Sequence, residues 1–136
     1  MAVAVFDASI AAAWCFPDEQ TAYAKATLDV LANGAAVLVP GLWAYEIRNS
    51  VLIGVRRRRI SEVHGDDFLA MLAGFLIGLR RPVSHDAVFA VAKQYQLTVY
   101  DAAYLDLAIR EALPLASLDA LLTRAATTAG VALFQA

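Results

Sequence analysis

Four acidic residues of this sequence stand where a charge is unexpected. Asp7 directly follows the apolar run AVAVF, and Asp119 follows another apolar run, two residues after Ser117. Asp101 precedes a helical stretch, while Glu46 interrupts the otherwise apolar segment LWAYEIRNSVLIGV. Carboxylates gathered in one crevice repel each other, and burial increases the repulsion. A divalent cation would relieve this conflict, and Mg²⁺ or Mn²⁺ prefers oxygen ligands of this kind.

Each of these acids also has a purely structural explanation. Asp7, Asp101 and Asp119 could be the N-caps of helices that begin just after them, because a carboxylate accepts hydrogen bonds from free helical N–H groups. Glu46 could pair at the surface with neighbours on the side of Arg48. Taken one by one, these alternatives stay open, but the four acids together favour a shared site.

The elements that must position these acids alternate along the chain between short apolar runs and longer segments of helical periodicity. Strands are predicted at Ala2–Phe6, Ala36–Val39, Pro114–Ser117 and Val131–Phe134, with Leu97–Val99 short and extended or turn-like. Helices are predicted at Ser9–Phe16, Asp18–Ala32, Leu42 to about Arg59, Ser61 to about Leu79, Ser84 to about Tyr95, Ala102–Ala112 and Asp119–Ala129.

Strands that lack alternation and are separated by helices are typical of a parallel sheet with helices on both faces. The predicted fold class is therefore α/β, a three-layer α/β/α sandwich with a mostly parallel sheet of about four or five strands. Parallel strands all end on one side, so Asp7 and Asp119 should emerge at the same edge. In such sheets the functional crevice lies at the carboxyl ends of the strands.

The composition narrows the class of protein. The 136 residues are 60% hydrophobic and 18% charged, which excludes a disordered chain and suits one domain with a sizeable core. A net charge of −2 argues against a globally basic nucleic-acid binder but does not exclude a local basic patch. The longest uncharged run, Phe68–Leu79, is far shorter than the about 20 residues that a membrane-spanning helix needs. Without a basic leader and with one cysteine, Cys15, the chain is expected to be cytoplasmic.

Four segments carry a resemblance to a known family. VFDAS around Asp7, YEIRN with Glu46, TVYDAAYLDLA with Asp101 and LASLDALL with Asp119 together resemble the PIN-domain ribonucleases, most of all the VapC-type toxins of bacterial toxin–antitoxin pairs. The third segment and LASLD are the most specific. The resemblance covers nearly the whole chain in the right order, so it implies a single PIN-like domain over residues 1–136.

The resemblance implies a metal-dependent reaction. In this family the acids bind one or two Mg²⁺ or Mn²⁺ ions and hydrolyse phosphodiester bonds of single-stranded RNA. Asp7, Asp101 and Asp119 would hold the metal, and Glu46 would complete the acidic set or position the attacking water. Attack by water, rather than by a ribose 2′-OH, would leave a 5′-phosphate. Two polar side chains are expected to orient the carboxylates by hydrogen bonds, Asn49 and Ser117.

The resemblance also implies partners for this chain, namely an RNA substrate, a VapB-type antitoxin and a second copy in a homodimer. The helix predicted through Phe68–Leu79 is too apolar to face water on any side. It either packs in the core or forms a groove for the second copy or for the antitoxin.

The sequence departs from the family's pattern at Asp106, where a small apolar residue is expected. Asp106 lies five residues after Asp101 and so faces another side of the helix. We predict that it pairs with Arg110, four residues further on, on a solvated face.

The basic residues are concentrated in two clusters, Arg56–Arg59 and Arg80–Arg81, which hold six of the eleven positive charges. They could complement helix dipoles, or they could contact RNA phosphates or an acidic antitoxin segment. If the predicted helices flanking Ser61 pack antiparallel, the clusters lie roughly 27 Å apart. The arginines proposed for RNA or antitoxin contact are Arg56, Arg57, Arg58 and Arg59.

Other functions fit the sequence less well. A phosphoryl-accepting α/β domain usually needs paired acids after the first strand, and here Ala8 and Ser9 follow Asp7. A non-catalytic domain that keeps an acidic crevice is a further alternative. Neither His64 nor His85 belongs to a metal-binding motif, and the sequence contains no glycine-rich phosphate loop.

Overall fold

The computed structural model describes all residues from Met1 to Ala136. The strands are β1 (Ala2–Phe6), β2 (Ala36–Pro40), β3 (Leu76–Arg80) and β4 (Leu115–Ala116). The helices are α1 (Ala8–Cys15), α2 (Ala22–Ala32), α3 (Leu42–Arg56), α4 (Glu62–Ala73), α5 (His85–Tyr95), α6 (Val99–Glu111) and α7 (Ala120–Thr128), with a 3₁₀ turn at Pro17–Glu19. No helix is both long enough and apolar enough to cross a membrane.

The four strands form one parallel sheet in the order β3-β2-β1-β4. From β1 to β3 the chain moves outward in one direction, and it then returns to place β4 on the other side of β1. Right-handed crossovers put α1–α4 on one face and α5–α7 on the opposite face. The contacts of α1 with α2 and α3, and of α6 with α5 and α7, agree with these two layers. The predicted three-layer α/β/α sandwich is confirmed.

This strand order fixes where a site can form. All four strands end at the same side, which we call the carboxyl edge: β1 at Phe6, β2 at Pro40, β3 at Arg80 and β4 at Ala116. β2 and β3 are added on one side of β1, and β4 is added on its other side. Such a switch point in the strand order leaves an open crevice at the carboxyl ends of the strands. Asp7 and Ser117 are the residues that directly follow the two strands at this point.

The prediction of a helix from Ser61 to about Leu79 is wrong in its second half. Helix α4 ends at Ala73 with Gly74 as its C-cap, and β3 then pairs with β2 from Leu76 to Arg80. An uninterrupted apolar run satisfies the helical and the strand period equally well, so periodicity could not locate the boundary. Arg80 and Arg81 consequently lie at the carboxyl edge, and the helical hairpin assumed for the separation of the arginine clusters does not exist.

The last predicted strand, Val131–Phe134, is also not a regular strand. Only an isolated bridge forms there, between Leu115 and Leu133, with backbone hydrogen bonds on either side of it. The sheet therefore has four strands, and this terminal segment covers the outer side of β4.

The core places α3, which carries Glu46, against α1. Phe16 and Ile47 are buried between these elements, and Gly54 lies so close to Phe16 that a Cβ there would be 2.4 Å from the ring. The absence of a side chain at Gly54 therefore sets how closely α3 approaches the end of α1.

We expect Gly54→Ala to destabilise the protein by about 1–3 kcal/mol, because the added methyl group overpacks this contact. Urea unfolding followed by circular dichroism measures the change. Gly74→Ala is the matched control, since a Cβ there meets only the Met71 carbonyl at an ordinary 3.4 Å. Equal stability of the two variants would contradict the proposed role of the Gly54–Phe16 contact.

Candidate functional site

Asp7 is the most buried of the four acids, with only 5% of its surface exposed. It is the N-cap of α1, and its Oδ1 accepts hydrogen bonds from the backbone N–H of Ser9 (3.0 Å) and Ile10 (3.4 Å) and from Ser9 Oγ (2.5 Å). Its Oδ2 accepts one from Ser117 Oγ at 2.5 Å. Burial nevertheless outweighs these donors and raises the pKa of Asp7 to about 6.

The two serines that donate to Asp7 also connect the ends of β1 and β4. Ser9 Oγ accepts a hydrogen bond from the backbone N–H of Leu118 at 2.9 Å, and Ser117 Oγ accepts one from that of Asp119 at 2.9 Å. Each of the two hydroxyls therefore donates a hydrogen bond to Asp7 and accepts one from a backbone N–H group. Ser9 was not identified from the sequence, although its place two residues after a strand-ending Asp is a recognisable capping pattern.

Asp119 is the N-cap of α7 and lies next to this network. Its Oδ1 accepts hydrogen bonds from the N–H groups of Leu121 (2.8 Å) and Leu122 (3.2 Å), and its other oxygen has no protein donor. For Asp7 and Asp119 the capping explanation is thus correct, and it does not compete with a functional one. Capping uses one carboxylate oxygen and leaves lone pairs on the other.

Asp101 is not the N-cap that the sequence suggested. Helix α6 begins three residues earlier than predicted because Thr98 is its N-cap and accepts a hydrogen bond from Asp101 N–H at 3.1 Å. The Asp101 carboxylate therefore lies on the first turn of α6 and is not its N-cap. Burial raises its pKa, and the negative charge of Asp119 raises it further.

Glu46 reaches the same group of acids from α3 and is held by Tyr104 of α6. The buried Tyr104 hydroxyl donates a hydrogen bond to Glu46 Oε1 at 2.6 Å. Burial and the charge of Asp101 raise the pKa of Glu46, whereas the bond from Tyr104 lowers it. Burial raises the pKa of Tyr104, and the hydrogen bond to Glu46 and the charges of Glu46, Asp7 and Asp101 raise it further. The sequence contained a signal for Tyr104, since it follows Asp101 by three residues on the same helical face.

None of the four acids is paired with a basic side chain. The ion pairs of the structure join Arg59 to Asp18 and Glu19, and Arg110 to Asp106. No three acidic, histidine or cysteine side chains are gathered tightly enough here to hold a metal ion. Two neighbouring pairs of acids act on each other beyond the effect of burial: the charge of Asp119 raises the pKa of Asp101, and that of Asp101 raises the pKa of Glu46.

Two sets of predicted supporting residues lie away from these contacts. Asn49 is exposed on α3 and makes no hydrogen bond to an acid. The arginine run begins ten residues after Glu46 on the same helix, roughly 15 Å further along its axis. Within this run, Arg59 bonds to Asp18 (2.9 Å) and Glu19 (2.7 Å) and stacks over the Phe16 ring at 4.1 Å, so its charge is already engaged.

The predicted pair of Asp106 with Arg110 exists, but its predicted position on a solvated face is wrong. Asp106 is only 6% exposed and accepts a hydrogen bond from Arg110 Nε at 3.2 Å. Arg110 Nη2 also donates to the carbonyl of Arg81 at 3.2 Å. The pair is thus a buried link between α6 and the loop after β3.

Comparisons with known proteins find similarity in structure and not in sequence. No protein-family profile matches the chain, and no curated protein is significantly similar to it in sequence. The crystal structure of PAE2754 from Pyrobaculum aerophilum is 20% identical, with a TM-score of 0.69 over 91% of this chain and 84% of that one.

Two further solved structures show the same fold. A toxin–antitoxin complex from Klebsiella pneumoniae contains a chain that is 19% identical, with a TM-score of 0.58 over 85% of this chain and 86% of that one. VapBC2 from Rickettsia felis, bound to a DNA fragment from its promoter, contains one that is 12% identical, with a TM-score of 0.64 over 97% of both chains. The chain therefore shares its fold with these proteins.

We expect Asp7→Asn to stabilise the protein at neutral pH when EDTA removes divalent cations. Because the pKa of Asp7 is raised from 3.8 to about 6 on folding, its favourable contribution is complete below about pH 4 and is lost as the pH rises through 6. The shift corresponds to about 3 kcal/mol. Thermal unfolding at pH 5.0 and 7.5 should show a variant-minus-wild-type difference in Tm that grows with pH.

Asp29→Asn, at an exposed acid of α2, provides the control and should shift Tm equally at both pH values. A difference for Asp7→Asn that does not depend on pH would contradict the raised pKa.

Proposed function

We propose that this chain is a Mg²⁺- or Mn²⁺-dependent endoribonuclease of the PIN-domain family and acts as the VapC-type toxin of a toxin–antitoxin pair. One observation carries the proposal. Four acids from four different elements lie at the switch point of a parallel sheet, Asp7 among them buried, and none has a basic partner. Beyond the effect of burial, the charge of Asp119 raises the pKa of Asp101, and the charge of Asp101 raises the pKa of Glu46. A buried charge without a partner is unfavourable, so a bound cation is the missing component.

The donor set fits a hard divalent cation. Carboxylate oxygens are the ligands that Mg²⁺ and Mn²⁺ prefer, and Asp7, Asp101 and Asp119 all keep oxygen lone pairs that no protein donor uses. These three residues would hold the ion. When bound, the ion supplies Lewis-acid activation of water and neutralises charge on the phosphate.

The side chains of this protein would then orient and deprotonate the nucleophile. Ser9 and Ser117 fix the Asp7 carboxylate, and Tyr104 fixes Glu46 through Oε1, which leaves Glu46 Oε2 free to accept a proton from the attacking water. A raised pKa makes Glu46 a better base near neutral pH. The water oxygen would attack phosphorus as the bond from phosphorus to the 3′-oxygen breaks, and the leaving 3′-oxygen would take a proton from solvent, which gives a 5′-phosphate and a 3′-hydroxyl.

The proposed toxin role and partners are supported by the similar structures, of which one is a toxin–antitoxin complex and another is VapBC2. The surface of this chain adds a physical reason for a VapB-type antitoxin and a homodimer. β3 is an edge strand, and its Leu76 and Leu79 are 60% and 51% exposed, close to Met71 of α4 in the chain. An exposed apolar edge strand is a surface that a partner commonly covers.

We expect purified, antitoxin-free protein to cleave total cellular RNA in millimolar Mn²⁺, and mapping of the product ends should find 5′-phosphates. Asp7→Asn and Asp101→Asn should each lower the cleavage rate at least about 100-fold, since even outer-shell changes at metal sites cost 10–100-fold. Asp29→Asn, an equal loss of charge at an exposed position, should leave the rate unchanged.

Absence of RNA cleavage by the wild-type protein would overturn the ribonuclease proposal. Calorimetric titration with Mn²⁺ would then identify a non-catalytic metal-binding domain, and labelling of the protein by acetyl phosphate would identify a phosphoryl acceptor.

Tyr104→Phe should lower kcat by about 10–100-fold with little change in KM, because it removes the hydrogen bond that orients Glu46 and keeps the buried ring. The same bond lowers the pKa of Glu46, so its loss should move the acidic limb of the rate profile to higher pH. Tyr23→Phe is the control, since it removes a tyrosine hydrogen bond to the Phe134 carbonyl. A lower Tm for Tyr104→Phe with unchanged kcat and pH profile would show that the bond is only structural.

A further inference from the structure

A cavity of about 610 Å³ opens beside the acidic site at the carboxyl edge. The ends of β2 and β3 form one side, and α5 and α6 form the other. This volume lies within the range of pockets that enclose small ligands. None of the residues proposed to hold the metal lines it, so it is a separate space.

The cavity adjoins the acids through the chain itself. Leu42, in its wall, lies one helical turn before Glu46 on α3, and Tyr100, also in its wall, directly precedes Asp101 on α6. Arg80 ends β3, two strand spacings or about 10 Å from the end of β1. A strand of nucleic acid with one phosphate at the acids would therefore place a neighbouring nucleotide at this cavity.

The charge of the cavity is opposite to that of the acidic site. Arg80 and Arg81 are exposed and line it, and no acidic side chain does so. Arg110 also lines it, but Asp106 neutralises its charge, and its bond to the Arg81 carbonyl holds the loop that presents the two free arginines. Guanidinium groups at this position favour an anionic ligand, and phosphate is well matched to their geometry.

The cavity also offers an aromatic surface. The Tyr100 side chain is 67% exposed on the first turn of α6, beside Val99 and facing the apolar wall that includes Leu42. Proteins that bind single-stranded RNA stack splayed-out bases on exposed aromatic rings next to basic side chains. An acidic peptide would satisfy the arginines but would leave this aromatic and apolar wall without a use.

We propose that this cavity binds one nucleotide of the RNA strand next to the phosphate that is hydrolysed, with the nucleotide's phosphate on Arg80 and Arg81 and its base on Tyr100. The proposal rests on the proposed ribonuclease function, because it assigns that substrate a binding site. It makes the cavity a determinant of where the RNA is cut.

The test measures RNA binding separately from cleavage. Fluorescence anisotropy of a labelled eight-nucleotide single-stranded RNA is recorded in EDTA, where cleavage cannot occur, over a range of salt concentrations. The variants are Arg80→Ala/Arg81→Ala, Tyr100→Ala and Tyr100→Phe. Lys25→Ala/Lys93→Ala removes the same charge from exposed residues outside the cavity and is the matched control.

We expect Arg80→Ala/Arg81→Ala to weaken binding about tenfold or more and to reduce the slope of log Kd against log salt by about 0.7, the contribution of one phosphate contact on a single strand. Tyr100→Ala should weaken binding about 5- to 100-fold, and Tyr100→Phe should restore it because the ring still stacks. The lysine variant should bind like the wild type.

Several results would overturn the proposal: wild-type protein that does not bind the RNA, cavity variants that bind like the wild type, or cavity variants that lose only the binding of an acidic peptide. Thermal unfolding of each variant verifies that it is folded. Cleavage in Mn²⁺ that is unaffected by the cavity variants would refute the cavity while keeping the ribonuclease. Binding that depends on the cavity, without any cleavage, would refute the ribonuclease function and keep the cavity as a nucleotide-binding site.

Discussion

A buried carboxylate with no basic partner is the constraint around which this structure is organised. Asp7 lies at the edge of the core and accepts hydrogen bonds from two backbone N–H groups and two serine hydroxyls. These bonds offset only part of the free-energy cost of desolvating its charge. The same serines bind the backbone that follows β4. The contacts that fix Asp7 therefore also join the ends of β1 and β4 at the switch point of the sheet, so the fold and the site depend on one network.

The topology explains why acids so distant in sequence lie at the same edge of the sheet. Asp7 and Asp119 follow the strands on either side of the switch point, whereas Glu46 and Asp101 lie near the beginnings of helices that start at this edge. Helix starts and strand ends coincide in a parallel sheet because each crossover helix must return to the opposite edge. A residue at such a position can cap a helix with one oxygen and use the other elsewhere: Asp119 leaves its second oxygen without a protein donor, and Asp7 accepts a hydrogen bond from Ser117 with its second oxygen.

The carboxyl edge combines two regions of opposite charge. The acids occupy the part near β1 and β4, and the free arginines of the loop after β3 occupy the part near the outer strand. The net charge of −2 conceals this arrangement, because a sum over the chain does not show where the charges lie. The proposed RNA substrate would be complementary to both regions, since a divalent cation would offset part of the negative charge of the acidic one.

The sequence by itself determined the local elements wherever a polar residue or a proline ended an apolar run. β1 ends just before Asp7, β2 ends at Pro40, and α5 begins after Ser84, because each of these residues makes its own capping bond or removes a backbone donor. The same signals identified the four acids and the parallel sheet. They did not separate α4 from β3, because nothing polar interrupts the run from Phe68 to Leu79 and only pairing with β2 makes its second half extended.

Only the tertiary structure decided how these elements meet. It placed Thr98, and not Asp101, at the start of α6, buried the pair of Asp106 with Arg110, and aimed Tyr104 at Glu46 across 58 positions of sequence. It also placed Arg80 and Arg81 at the carboxyl edge, at and just after the end of β3, where the sequence had predicted a helix. Such relations depend on packing between distant segments, and no periodic pattern in the sequence records that packing. The sequence specified which residues are able to do chemistry, and the fold decided which of them lie at the same edge of the sheet.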